Sequence, residues 1–448
     1  MAINSDYAQQ MALQLASYDV QAQQTSLTRR ENQYNAQVKA LNSLKSALST
    51  FSTAVRGLSS GAGTEKTVLA NKATFSEEGY ATATVGSSAM EGSYTFTVEQ
   101  LAKKHQVALG GLDETKFAEG GNLTITQPAT AVGDAARTFN VDLSGVTTLA
   151  ELASAINSNA DNEGVQATLV RSGESVNLVL TSKETGSNQA ISFDFAGAAA
   201  ASNLTTTTLS NAQNAKVRLG GESGAGSISL ENQSNTFDNV IDGVTLTFSK
   251  AHATGESLTL DIAKDQSATK GKVENFVSAY NTLMSTMKSL SATGINGETR
   301  GALAGDSSIS SIKSLINNTL RKNFDGVNLI NFGVRATSTG TLSLDAATFE
   351  KALAADPAGL DKLFTGKGNL IDSMTDSLKL YTTAAGGVLT ERVSSLNERL
   401  KSVDKDFEKL QAKYDSAYTR YLKQYTNMMQ IMSSMEQTSG LFASTMTE

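Results

Sequence analysis

The sequence predicts an α+β multidomain chain in which discontinuous N- and C-terminal helices form a coiled-coil or helical leg, with two nested β-rich head domains inserted between them. Three observations predict it. Both ends carry apolar residues at helical spacing, the middle alternates apolar and polar residues with period 2, and helical spacing returns before the C-terminal run.

At the N-terminus Ile3, Tyr7, Met11, Leu15 and Tyr18 recur at steps of four and three, followed by a polar span around residues 21–28. The stripe resumes at Tyr34, Val38 and Leu41, shifts phase once, and continues through Leu44, Leu48, Phe51, Val55 and Leu58. Gly57, Gly61 and Gly63 are expected to end the helix.

The period then changes to 2. Residues 81–85, 94–98, 123–126, 139–141, 176–180, 191–195, 244–248 and 258–262 alternate apolar side chains with Thr, Asn, Asp or Ser, the pattern of half-buried strands. Gly110-Gly111, Gly120-Gly121, Gly220-Gly221 and Asp242-Gly243 mark turns between them, and a short helix is expected over 149–156. Helical spacing returns at Val273, Phe276, Val277, Tyr280, Leu283, Met284, Met287 and Leu290, and again at Ile309, Ile312, Leu315, Ile316 and Leu320.

The last stretch is a heptad in unbroken phase: Leu389, Val393, Leu396, Leu400, Val403, Phe407, Leu410, Tyr414, Ala417, Tyr421, Gln424, Met428, Ile431, Met435, Thr438 and Phe442. It predicts a helix roughly 80 Å long at about 1.5 Å per residue. Such a stripe needs a partner, and the N-terminal helix is the simplest one.

This nesting divides the chain into a terminal coiled-coil leg (1–42 and 400–448), a helical leg domain (43–65 and 268–399), an inner β-rich head domain (66–100 and 205–267) and an outer one (101–204). The Ala-, Thr-, Ser- and Asn-rich run 196–214 is expected to be the crossing between the two β domains.

Charge refines the reading of the ends. Between residues 1 and 28 the charged side chains are Asp6 and Asp19, and between 421 and 447 they are Lys423 and Glu436. An exposed helix normally keeps a charged face, so both extremities are expected to be covered in the working state. The flanking positions Tyr418, Tyr425 and Met432 widen the seam toward its end, whereas Asn397, Asp404 and Gln411 flank it upstream. The upper part, 389–414, is therefore assigned to pairing within the chain and the lower part to other molecules. Met428, Met429, Met432, Met435 and Met446 are open to two readings, an adaptable interface or ordinary coiled-coil filling. Gln424 either fixes register or is a tolerated polar residue near a frayed end. The ends are expected to be mobile in the free monomer.

Composition excludes several function classes. With 448 residues, a net charge of −7 and scattered Lys and Arg, neither nucleic acid nor an anionic membrane is an expected partner. There is no cysteine, so disulfides, thiolate metal sites and cysteine nucleophiles are ruled out. The first residues lack the basic and apolar regions of a secretory signal, and no stretch is apolar enough to span a bilayer.

No enzyme signature emerges. His105 and His252, the two histidines, stand in polar contexts and read as surface residues at strand ends, with neither a nucleophile nor an orienting acid marked for them. The acid pairs Asp404/Asp406 and Glu91/Glu99 read as solvated. Gly366-Lys367-Gly368, Gly271-Lys272 and the glycine run at 220–226 do not fit phosphate or dinucleotide loops, and 238–243 lacks the oxygens of an EF-hand. No cofactor or metal is expected.

In order along the chain stand Tyr-x-Phe-x-Val-x-Gln-Leu-Ala at 94–102, residues 149–157 with Gly164-Val165-x-Ala167, then 178–182 and Thr185-Gly186. Farther on come Asn239-Val240-Ile241-Asp242-Gly243-Val244-Thr245-Leu246, Phe276-Val277-x-x-Tyr280-Asn281 and Leu303-Ala304-Gly305-Asp306-Ser307. Gly340-Thr341-Leu342-Ser343-Leu344-Asp345, Leu353-Ala354-Ala355-Asp356-Pro357, Leu363-Phe364 and Gly387-Val388-Leu389-Thr390-x-Arg392 follow. In this order the chain resembles the flagellar filament cap family, hook-associated protein 2. It departs from the family at its start, where the helical pattern begins almost at Met1 without the usual Gly-rich segment.

The resemblance implies a non-enzymatic cap at the distal tip of the bacterial flagellum, exported through the type III channel without a cleaved signal. It implies a homopentamer or homohexamer whose β domains form a plate and whose paired terminal helices form legs in the filament end, with flagellin folding and inserting beneath. Further expected partners are the hook–filament junction protein and a cytoplasmic export chaperone, whereas host mucin or glycan is a ligand of the β domains in the alternative adhesin reading alone. The residues assigned to oligomer and filament contact are Met11, Leu15, Tyr18, Tyr418, Tyr421, Gln424, Tyr425, Met428, Ile431, Met432, Met435 and Phe442. The alternatives are another axial subunit, flagellin-like or at the hook–filament junction, and a cap that doubles as a host-surface adhesin.

Overall fold

The computed structural model describes residues 5–60, 66–131, 133–173, 175–220, 226–295, 298–324 and 326–445. Ile3, Gly61, Gly63, Gly221 and Met446 lie outside them, as does the side chain of Phe442.

In chain order the elements are α1 (Ser5–Gly57), β1 (Ala70–Phe75), β2 (Ala81–Val85), β3 (Gly92–Gln100), β4 (Gln106–Gly110), β5 (Asn122–Gln127), β6 (Arg137–Asp142), α2 (Leu149–Ser158), β7 (Val165–Ser172), β8 (Ser175–Ser182), β9 (Ser192–Ala196) and β10 (Thr205–Ser210). Then come β11 (Ala215–Leu219), β12 (Ile228–Asn232), β13 (Thr236–Ile241), β14 (Val244–Phe248), β15 (Leu258–Asp265), α3 (Gln266–Ser291), α4 (Ser307–Leu320), β16 (Val334–Ala336), β17 (Leu342–Leu344), α5 (Ala346–Ala355), α6 (Pro357–Phe364), α7 (Leu370–Thr382) and α8 (Val388–Thr445). They form two compact units, residues 1–59 with 267–448, and residues 60–266.

The first unit is helical. α1 and α8 are single helices of 53 and 58 residues and run antiparallel, as the contacts of Lys45 with Thr390 and of Asp19 with Arg420 require. Leu41, Leu44, Leu48, Phe51, Val55 and Leu58 of the predicted stripe are fully buried. Phe51 lies 5.9 Å from Phe276 and 6.2 Å from Tyr280, and Phe276 meets Phe364 edge-on. α7 packs on both α1 and α8, so this end of the helix pair sits in a multi-helix core.

The second unit holds two β cores. One combines the sheet β1-β15-β3-β11-β12 with β13-β14-β2 around Phe96, Phe237, Phe248 and Leu260. The other combines β10-β4-β8-β7 with β6-β5-β9 and α2 around Phe117, Leu123, Leu152, Ile156 and Leu178. All the strand pairs are antiparallel, and the apolar members of each alternating run point into a core, as period 2 requires. At the β13–β14 hairpin the register shifts between Asp238 and Ile241, where Asn239 is the one non-glycine among the described residues with positive φ, 57°. Gly243 follows in the turn at φ 72°, so a side chain there would be strained.

The abundance of asparagine has a structural use. Asn157, Asn162, Asn235 and Asn281 each present an amide where a strand partner would stand. Each Oδ1 accepts from a backbone N–H and each Nδ2 donates to the carbonyl of the same residue, at 2.7–3.2 Å, on Ala167, Val165, Ala102 and Leu342 respectively.

Four expectations need correction. α1 does not bury a large apolar stripe at its start: Ala8, Ala12, Ala16 and Val20 are buried, whereas Tyr7 and Tyr18 are exposed and Met11 and Leu15 half-buried. Alanines four apart let the partner helix approach closely, which bulky residues on that face would prevent. The expected polar span is part of the same helix and buries Leu27. The run 196–214 is more than a crossing, since Ala200 is fully buried in a core and β10 pairs with β4 in a sheet. The histidines, finally, are half-buried and hydrogen-bonded.

Candidate functional site

The paired helices α1 and α8 form the candidate assembly surface. Their middle is closed by Val20 and Leu27 against Val403 and Leu410, with Tyr34, Phe407 and Tyr414 packed alongside. Polar contacts set the register. Lys45 Nζ donates to Thr390 Oγ1 at 3.0 Å and Lys413 Nζ to Gln23 Oε1 at 3.1 Å. Asp19 Oδ2 accepts from Arg420 at 3.2 Å and from the Tyr421 hydroxyl at 2.9 Å, while the Arg420 guanidinium lies 4.7 Å from the Tyr421 ring centre. The pairing within the chain thus runs past 414, through the buried Ala417 and on to Tyr421.

Continuing this antiparallel register sets the alanine face of α1 beside the stretch of α8 around residues 423–431. Small side chains disappear beneath larger ones but cover little of them, and the exposures follow. Ala8, Ala12 and Ala16 are buried, whereas Met428 and Met432 are each 41 % exposed, Ile431 60 % and Met435 67 %. Tyr418, Tyr421 and Tyr425 are half-buried, Gln424 is exposed, and Tyr18 stands out from α1 at 77 %. Gln424 is therefore no register-fixing core residue within this pair. Residues 433–441 are exposed on every side, with Glu436 as their one charge. Sequence reasoning thus finds the exposed apolar end of α8 but misses Ala8, Ala12 and Ala16, whose four-residue spacing was the available signal.

The other end of α8 is held by charge. Arg392 reaches both carboxylate oxygens of Asp306 and also Ser308 Oγ at 2.7 Å. Asp306 in turn caps α4, accepting from the Ser308 N–H at 2.8 Å. Its side chain is only 10 % exposed, and the guanidinium holds its carboxyl below the usual carboxylate range. The motifs at 303–307 and 387–392 meet in this contact. Other motifs meet likewise: the Tyr280 hydroxyl donates to Asn317 Oδ1 and Gly340 O, and Asn281 pairs with Leu342. These four motifs fasten the scaffold of the helical unit. None of them lies on the exposed end of α8.

Comparison with known proteins bears on this surface. Residues 7–105 match the family described as flagellar hook-associated protein 2 N-terminus, residues 212–437 the one described as flagellar hook-associated protein 2 C-terminus, and residues 122–184 the flagellin hook IN motif. The lateral flagellar hook-associated protein 2 of Vibrio parahaemolyticus is 37 % identical over 339 residues, covering 73 % of this chain and 75 % of that one. The A-type flagellar hook-associated protein 2 of Pseudomonas aeruginosa is 30 % identical over 405 residues, covering 83 % and 81 %. The crystal structure of the flagellar cap protein FliD D1-D2-D3 domains from Escherichia coli aligns with TM-score 0.61 at 26 % identity, covering 80 % of this chain and 99 % of that one.

Proposed function

The chain belongs to the flagellar hook-associated protein 2 family, and from that membership we propose that it is a non-enzymatic cap at the distal tip of a bacterial flagellar filament. It associates with copies of itself, retains flagellin there and promotes its insertion. The observation that carries the reading is one heptad seam with two fates: closed on α1 through Ala417, then apolar and exposed from Met428 onward. A chain of this length does not keep that stripe bare in its working state.

In this reading 1–42 with 400–448 is the terminal leg, 43–65 with 268–399 the helical leg domain, 66–100 with 211–267 the inner head, and 101–204 the outer head together with β10, 205–210, which pairs with β4. Met11, Leu15, Tyr18, Tyr418, Tyr421, Gln424, Tyr425, Met428, Ile431, Met432, Met435 and Phe442 face neighbouring subunits and the filament end. Five or six subunits close the ring. The hook–filament junction protein and an export chaperone are further partners, and export needs no cleaved signal.

Deleting residues 421–448 tests the reading. A soluble protein should result that no longer retains flagellin at the tip, so that flagellin is lost to the medium. Filaments of normal length from such a strain would overturn it.

A further inference from the structure

Both histidines of the chain lie in the β unit, one in each core, and each does the same unusual thing with its side chain. His252, in the segment between β14 and β15, donates its backbone N–H to Val98 O at 2.9 Å, and its imidazole Nδ1 accepts the Val98 N–H at 2.8 Å. Its ring stacks on Tyr80 at 4.5 Å and 8°. Val98 belongs to β3 in the five-stranded sheet and Tyr80 directly precedes β2 in the three-stranded one, so a single side chain touches both sheets of that core.

His105 repeats the arrangement in the other core. Its backbone extends the β4–β8 pairing, its carbonyl accepting from Ser182 N and its N–H reaching Ser182 Oγ, both at 2.9 Å. Its Nδ1 accepts the N–H of Ile191 at 2.9 Å, at the residue that leads into β9 of the opposite sheet.

An imidazole accepts at Nδ1 only while that nitrogen is unprotonated, with the proton on Nε2. Protonation would set two N–H groups against each other at both places, leaving a backbone donor without a partner at 2.8–2.9 Å. We propose that His105 and His252 are acid-sensitive clasps, one in each β core, that release Ile191 and Val98 on protonation and loosen the β unit while the helical unit keeps its fold.

The surroundings favour the neutral ring. Burial lowers the pKa of both imidazoles below its ordinary value. Around His252, Glu256 and Glu77 pull the other way and Lys250 pulls with burial. Lys250 is itself engaged by Tyr80, donating to its hydroxyl at 3.1 Å and lying 4.4 Å from the ring centre. Around His105 the charged residues of the adjoining segments are Lys103, Lys104, Lys183, Glu184 and Arg137. Lys104 is turned to the Lys183 carbonyl, and Arg137 to Asn188 O and Gln189 Oε1.

A lowered folded-state pKa fixes the sign. The contribution is complete above the free imidazole value of about 6.5 and is lost as the pH falls below it, by up to about tenfold in the folding equilibrium per pH unit for each histidine. The helical unit contains no histidine and has no such loss in this range.

The test uses the full chain. Nitrogen-15 NMR of the imidazoles at pH 7.5 should show both as the Nε2–H form. Amide exchange at Val98 and Ile191, corrected for its intrinsic pH dependence, should lose up to about tenfold in protection between pH 7.5 and 5.5, with α3 and α7 unchanged. In His105→Asn/His252→Asn the side-chain oxygen keeps an acceptor that does not titrate, as the four asparagines above do, so protection should persist at pH 5.5. Nδ1–H rings at pH 7.5, or protection unchanged at pH 5.5 in the natural chain, would overturn the proposal. Should the double variant fail to fold, those two measurements on the natural chain still decide it.

Discussion

The two ends of the α1–α8 pair obey one sequence rule and meet opposite fates. Toward Leu389 the pair is joined by α3 and α7, and Leu44, Leu48, Phe51 and Val55 are sealed from water. Toward Met435 the described residues that α1 buries are the small Ala8, Ala12 and Ala16, and Met428, Ile431, Met432 and Met435 of α8 stay exposed. An apolar heptad therefore states that a surface will be covered. Which molecule covers it depends on what the rest of the chain brings to that level, and at the far end the described residues bring little beyond small side chains.

The comparison breaks most severely at Phe51. Phe51→Ala removes a ring buried between Phe276 and Tyr280 and should cost about 3–5 kcal/mol of the helical unit's stability in denaturant unfolding. A loss as small as that of a tip substitution would erase the distinction between the two ends.

Next in size is Arg392→Ala, expected to cost about 2 kcal/mol. It strands the largely buried Asp306 carboxylate, while the guanidinium's own partial exposure keeps the loss below that of a fully buried pair. Because Arg392 lowers the Asp306 pKa, the stabilisation is present above the ordinary carboxylate value of about 3.9 and vanishes as the pH falls through the lower folded-state value. The variant should accordingly begin its acid unfolding at higher pH, as circular dichroism titration would record.

Asp19→Asn separates the two regimes. Its partners Arg420 and Tyr421 are at the surface, and the change should cost at most about 0.5–1 kcal/mol. The smallest change in stability belongs to Ile431→Ser/Met435→Ser, within about 0.5 kcal/mol, together with the largest loss of tip assembly. Amide exchange should match, fast over 433–441 in the free chain and slow around Phe51. A large stability loss for the tip variant would mean that the exposed stripe serves the monomer after all.

Much of this was legible in the sequence. Heptad phase located α8 and the sealed half of α1, and alternation located eight strands, because each pattern reports directly which face is buried. Other features were not. β10, Thr205–Ser210, is an exposed edge strand and reads as low complexity, since a strand with neither face buried shows no apolar alternation. The alanine face of α1 escaped because a search for large apolar residues passes over the small ones that let helices come close. The Asp306–Arg392 pair joins residues 86 apart, and no local pattern marks such a bond. The ordered motifs pointed to the family, but none of them lies on the exposed end of α8.

The antiparallel pairing of α1 with α8 also fixes an order of events in folding. Its cross-helix bonds join residues 345 to 402 positions apart, nearly the whole chain. During synthesis from the N-terminus, α1 emerges before the β unit and α8 after it. The β unit, whose pairings close over its own 60–266, is able to form while α1 still waits. The pairing of the leg is thus completed only after the β unit between its two halves has been made.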